Sequence, residues 1–217
     1  MKMLAVLFFV VIGSLSTTTS PAQSNDKAST LNKRLEAELH QMGADDQKYR
    51  GVIEAEMMKM SSTGTARASD EFVAAVKSQD EIDARNIARL EEIIKQHGWP
   101  GKSLVGKEAS EAAFLILQHS NLTWQEKYLP LLKKAAREGD ARLADVAMLE
   151  DRILVRSGKK QVYGTQVRSG PDTGGKLVLA PIEDEQHVDK RRASVGLMPL
   201  QEYLRHLGIE YTPPGRR

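Results

Sequence analysis

Cysteine is absent from this 217-residue chain, which excludes disulfides, thiolate metal sites, thiol catalysis and a lipid-modified cysteine anchor. Aromatic residues make up only 5%, so the core must be aliphatic. Charge of one sign is missing too: 31 Lys and Arg stand interspersed among 29 Asp and Glu, which gives no electrostatic footprint for nucleic acid. The basic clusters are Lys190-Arg191-Arg192 and Arg216-Arg217. No phosphate loop of the GxxxxGK(S/T) or GxGxxG kind occurs, and neither does an HExxH zinc helix or a GxSxG nucleophile elbow. Long apolar runs are confined to Leu4–Ile12, far short of the roughly 20 residues of a spanning helix.

What is present begins with that run. Lys2, the apolar stretch and then Ser20-Pro21-Ala22 read as a secretory signal peptide over residues 1–22, cleaved after Ala22; an uncleaved anchor is the alternative. The expected location is therefore periplasmic or extracellular, with no membrane insertion of the mature chain. Hydrophobic residues at 41% and charged residues at 28% suit a globular domain.

Helical periodicity dominates the rest. Residues 23–60 read as an N-terminal annex of two helical stretches meeting near Gly43, the second carrying Asp46, Tyr49, Arg50, Ile53, Met57 and Met60 on one stripe. SSTGTARAS at 61–69 has linker composition, and a core domain is expected over 70–209, followed by a tail at 210–217. Its long first helix runs to His97, with Ser78-Gln79-Asp80-Glu81 spaced as a capping box that restarts it. HGWP at 97–100 is a helix stop. The AAFLIL helix from Lys107 to His119 is apolar nearly all round, hence central. Thr123-Trp124-Gln125-Glu126 has the spacing of a second capping box, Pro130 should kink or divide its helix, and Asp140 can cap the next, Ala141 to Ser157. Strand chemistry appears late: QVYGTQV and KLVLAPI flank RSGPDTGG, predicting a β-hairpin at 160–182. Asp184 and Pro199 can open two last helices. The fold class expected is mainly α, a multi-helix orthogonal or bundle-like domain with a small C-terminal hairpin.

The apolar stripes also carry polar side chains. His119 shares one with Ala112, Leu115 and Ile116; Asp151 with Ala144, Ala147, Met148 and Leu154; Asn86 and His97 with Ile82, Leu90 and Ile93. Gln118 and Arg152 lie beside them. Two readings stand. Either these groups form a satisfied polar knot that fixes helix register, or Asp151 orients His119 as a general base that activates water. A metal site from His97, His119 and Asp151 would lack any short ligand pair, and no metal or cofactor is expected. In QVYGTQV a period of two puts Gln161, Tyr163, Thr165 and Val167 on one face; Gly164 there marks a bulge or a close approach.

HGWPGKSLVG, ILQHS, LPLLKKA, EDRILV, QVYGTQV and PIEDEQHVDKRRASVGLMPLQEYL, preceded by DQKYR at Asp46 to Arg50, resemble in the same order the motifs of a bacterial family known only as a domain of unknown function. The resemblance covers most of the chain after residue 22, with Met57 to Val76 looking like an insertion. It implies a kind and no reaction. It also implies motif positions at Gln118, His119, Asp151, Arg152, Gln161, Tyr163, Thr165, Gln166 and Arg192. The function expected is an exported module binding a small polar ligand or an envelope protein through the hairpin face, Asn86, Gln118, Arg152 and Arg192. Its alternatives are a hydrolase built on His119 and Asp151, and a purely structural envelope protein.

Overall fold

Ser69 opens the longest helix among the described residues, its side chain accepting the Phe72 N–H while Asp70 and Glu71 place negative charge in the first turn. The helix closes at Gly98, whose φ of 75° suits a residue without Cβ and whose N–H reaches Ile94 O; Trp99 then turns back into the core. The computed structural model describes residues 31–63, 67–174 and 176–215. The export signal expected at 1–22 lies outside the described residues, as do the start of the annex and residues 64–66 of the linker.

In chain order the helices are α1 (Lys33–Gln47), α2 (Arg50–Thr63), α3 (Asp70–His97), α4 (Lys102–Val105), α5 (Lys107–His119), α6 (Leu122–Arg137), α7 (Leu143–Arg156), α8 (Val188–Ser194) and α9 (Leu200–His206). Two-residue strands β1 (Val167–Arg168) and β2 (Val178–Leu179) pair antiparallel, Val167 opposite Leu179. The protein is thus mainly helical with a small C-terminal hairpin, as its periodicity predicts. α5 is central, touching α1, α3, α4 and α6. Around it one core gathers Leu35, Leu39, Leu90, Ile93, Phe114, Leu117, Leu132 and Leu149, and a smaller one holds Val167, Ile182, Val188, Leu200 and Leu204. Each such side chain contributes about 1.5–3 kcal/mol when fully buried.

Several local expectations are overturned by tertiary contacts. The annex is one wall of the core, since Leu35, Leu39 and Met42 join the main cluster. Its two helices meet at Lys48 and Tyr49 rather than Gly43. Gly43 lies inside α1, where a Cβ would come 2.8 Å from that of Ala112; it lets α1 approach α5 closely. α2 continues through residues 61–63, into the expected linker. α3 passes unbroken through Ser78, because Gln79 is drawn into the interior, and α6 passes through Pro130. The cap of α6 is Asn121, which takes the Trp124 N–H. Asp140 does not cap α7. Its Oδ1 accepts the Ser103 N–H at 2.6 Å and its carbonyl accepts Lys102 N–H at 3.0 Å, so it caps α4 from the α6–α7 turn.

Candidate functional site

Buried polar groups must find partners, and the partners found here differ from those their spacing suggests. His119 ends α5, and its Nδ1 lies 2.8 Å from Asp46 Oδ2 and 3.1 Å from Oδ1. Arg50 Nη2 reaches Asp46 Oδ1 at 2.9 Å and Asp83 Oδ1 at 2.7 Å. Gln79 completes the set from α3, donating to the Asp46 carbonyl and to Asp83 while accepting the Tyr49 N–H. Asn86 donates to Met42 O. Burial pushes the Asp46 carboxyl up, but hydrogen bonds and charge from His119 and Arg50 outweigh it and hold it at about 2. Burial lowers the His119 pKa; Asp46 opposes that, and the charges of Arg50 and Arg152 add to it. The imidazole is therefore neutral at neutral pH, with its proton on Nδ1 facing an ionised carboxylate.

Next to this cluster, α7 inserts a guanidinium. Arg152 Nη1 donates to the Gln118 carbonyl at 3.0 Å, and the Gln118 amide oxygen, turned toward the guanidinium, takes Nη2 and Nε at 3.0 and 2.8 Å. Arg156 Nη1 donates to Ser120 O, and Gln125 donates to both Gln118 O and Ser120 O. The free carbonyls at the end of α5 are thus capped by side chains of α6 and α7. Burial lowers the Arg152 pKa, and repulsion from Arg156 and Arg50 adds to it.

Asp151 serves a different segment. Its Oδ1 accepts from Val162 and Tyr163 N–H at 2.7 and 3.0 Å, and its Oδ2 from Thr165 N–H and Oγ1–H at 3.0 and 2.9 Å. Burial pushes this carboxyl up, while the backbone donors and the Thr165 hydroxyl pull against it. Gln161 closes the same loop, donating to Gln166 O and Ala180 O and accepting Gln166 N–H. Gln166 also donates to Thr165 Oγ1. Arg192, 1% exposed, donates to Met198 O and Tyr163 O and lies over the Tyr203 ring at 5.1 Å; the Tyr203 hydroxyl donates to Thr165 O.

The expected pair of Asp151 and His119 is therefore not formed. Asp46 holds the His119 Nδ1, and Asp151 is occupied by the 162–165 backbone. Gln161 to Val167 is not a strand with one polar face either. Only Val167 and Arg168 pair, Gln161 forms a lone parallel bridge with Ile182, and Gly164 has a φ of 69°. A Cβ on Gly164 would meet Ile182 Cδ1 at 2.8 Å, so the close approach expected of this glycine is present, whereas a bulge has no strand here to sit in. Gln161, Thr165 and Gln166 are buried, and Tyr163 is half-buried beside a cleft of about 260 Å³ shared with Glu150 and Leu154. His97 is exposed at the end of α3, and among the described residues no three His, Asp or Glu side chains are placed to hold a metal ion.

A larger concavity lies elsewhere. Met57, Met58 and Lys59 of α2 face residues 176–179 and 207–211 across a cleft of about 1190 Å³. Leu177, Leu179, Leu207 and Ile209 are its partly buried apolar members, and Met58 is 49% exposed. Sequence reasoning placed Met57 on an apolar stripe but gave it no partner, because the other two walls come from distant segments. Asp46, Arg50, Asp83 and Tyr203 were missed as members of the polar clusters; the DQKYR string and the charged start of its stripe were the available signals for the first two. Among the described residues no helix is long and apolar enough to cross a membrane.

The model of a family described as of unknown function, DUF6624, matches residues 34–213. No curated protein and no solved structure gives a match.

Proposed function

We propose, for a chain that belongs to the DUF6624 family of unknown function, that it is an exported module which binds part of another protein in the cleft between α2, β2 and residues 207–211. One observation carries this reading. His119, Asp151, Gln161, Thr165 and Arg192 are engaged in internal hydrogen bonds, whereas the apolar lining of this cleft stays open. Its volume exceeds the roughly 300–1,000 Å³ of small-molecule pockets. Methionine side chains adapt to varied apolar partners, and two of them form one wall. Export is supported by Lys2, the Leu4–Ile12 run and the small residues before Gln23.

The purified chain is panned against displayed random peptides, and the selected sequences are measured against wild type and Met58→Asp. Binding that weakens roughly tenfold or more in the variant, with an unchanged thermal midpoint, supports the cleft. Equal affinity for both moves recognition elsewhere. An N-terminus at Gln23 in protein from the native host supports export, and retention of Met1 opposes it.

A further inference from the structure

Charge, more than a core, holds α2 in place. Among its described side chains none is buried: Ile53, Met57 and Met60 are half-buried, and Val52 and Met58 are exposed. Its first residue makes the strong contacts. Arg50 reaches Asp46 through Nη2 at 2.9 Å and Nε at 3.3 Å, and Asp83 through Nη2 at 2.7 Å. Just before it, the Tyr49 N–H is taken by Gln79. Segments that bury little apolar surface open locally at a lower free-energy cost than the whole fold. α2 can therefore leave its place while α3 and α5 stay packed.

The carboxylate that holds Arg50 also holds His119. Asp46 Oδ1 takes Arg50 Nη2 and His119 Nδ1, its Oδ2 takes Arg50 Nε and His119 Nδ1, and Gln47 Nε2 adds a donor to Oδ2 at 2.7 Å. A carboxylate accepts at about four lone-pair sites, and these contacts fill them. Two cations face the imidazole, Arg50 from α2 and Arg152 from α7, against Asp46 from α1. Asp83, Asp80 and Glu54 lie around Arg50, and Arg156 lies near Arg152. A proton on His119 adds a third cation to this site. The His119 side chain is 3% exposed and Arg152 is buried, both on helices whose other side chains build the core. Arg50, 17% exposed, starts the helix that has no buried member. Relief of the repulsion therefore falls on Arg50. The imidazolium replaces its charge at Asp46, and Asp83, half-buried and still bonded to Gln79 Nε2, is within reach of water.

We propose that His119 is a proton-operated latch on α2: in mild acid its imidazolium displaces the Arg50 guanidinium from Asp46, and α2 opens while the other helices keep their packing. Met57 and Met58 ride on α2, so one wall of the cleft moves with it; the latch itself does not rest on what that cleft binds. The imidazole is followed by NMR, and amide exchange is measured in α2, α3 and α5 between about pH 7.5 and 4.5, corrected for the intrinsic pH dependence of exchange. The full chain is compared with His119→Gln and Arg50→Gln. As His119 titrates, protection of α2 should fall roughly tenfold per pH unit while that of α3 and α5 holds. His119→Gln should keep α2 protected throughout. Arg50→Gln should raise the pH at which the imidazole titrates, because proton uptake and loss of Arg50 favour each other reciprocally. An imidazole that stays neutral over the whole range, or one that titrates while α2 protection stays constant, overturns the latch. Equal loss of protection in α2, α3 and α5 makes the effect a general loss of stability and also overturns it. So does acid opening that survives in His119→Gln, or a titration unmoved by Arg50→Gln. If a variant does not fold, the comparison of α2 with α3 and α5 in wild type decides.

Discussion

His119 and Asp46 meet at 2.8 Å across 73 residues of chain, one side chain 3% and the other 1% exposed. The contact ties the end of the central helix to the α1–α2 junction, and Arg50 extends it to Asp83 on α3. Removing one member of a buried charged set strands the others, at about 3–5 kcal/mol. Asp46→Ala should lower unfolding free energy by that amount in urea titration. A change below about 1 kcal/mol would show that the cluster contributes no more than a surface pair.

The same pair sets a pH dependence. The folded pKa of His119 lies below its ordinary 6.5, so the unfolded chain takes up the proton first, and stability complete above pH 6.5 declines as pH falls beneath it. Asp46, held at about 2 against 3.8, contributes on the order of 2 kcal/mol above pH 3.8, lost as pH drops toward 2. The contribution of this pair, measured against pH, should therefore be complete at 6.5 and fall in two stages below it. His119→Gln, which can still donate to Asp46 but carries no charge, should remove the upper stage and move the lower one up toward pH 3.8; an unaltered upper stage in that variant would assign it to another group.

Asp151 holds the 162–165 loop by its backbone. Asp151→Ala leaves the buried Thr165 N–H without its acceptor, at about 1–3 kcal/mol, together with the part-buried N–H groups of Val162 and Tyr163, and should speed amide exchange at Val162, Tyr163 and Thr165 before global unfolding. Thr165→Val removes one hydroxyl bond and should cost about 1 kcal/mol. Gln161→Ala should also destabilise, since both ends of that amide are bonded inside. Unchanged exchange in Asp151→Ala would mean that the loop is held by its packing alone.

Gly43→Ala sets propensity against space. Alanine gains about 1 kcal/mol over glycine within a helix, but its methyl would stand 2.8 Å from the Ala112 Cβ, and overpacking costs about 1–3 kcal/mol. Net destabilisation is expected, with rescue by Ala112→Gly in a double-mutant cycle. Additive effects would place the strain elsewhere.

Local chemistry was legible in the sequence where it is satisfied locally. Gly98-Trp99-Pro100 stops α3 as its residues dictate, and the apolar wrap of α5 announced its central place. Stripe periodicity also turned His119 and Asp151 inward. It could not name their partners. Asp46 arrives from another helix, and apart from the Thr165 hydroxyl the donors around Asp151 are backbone N–H groups that nearly every residue carries, so they leave no trace in residue identity. Gly43 misled because a helix boundary depends on what the helix packs against, and α6 runs undivided through Pro130. The cleft was illegible for a further reason: its walls come from 57–59, 176–179 and 207–211, and only folding brings them together.

Asp140 gives the exposed α6–α7 turn an unexpected rigidity. A short polar turn containing Gly139 would ordinarily be chosen for an epitope tag, a spectroscopic label or a circular-permutation cut. Here any insertion that moves Asp140 withdraws the acceptors of Lys102 and Ser103, and the start of α4 would fray on the far side of the joint. Labelling sites are better sought in turns whose side chains answer to no other segment.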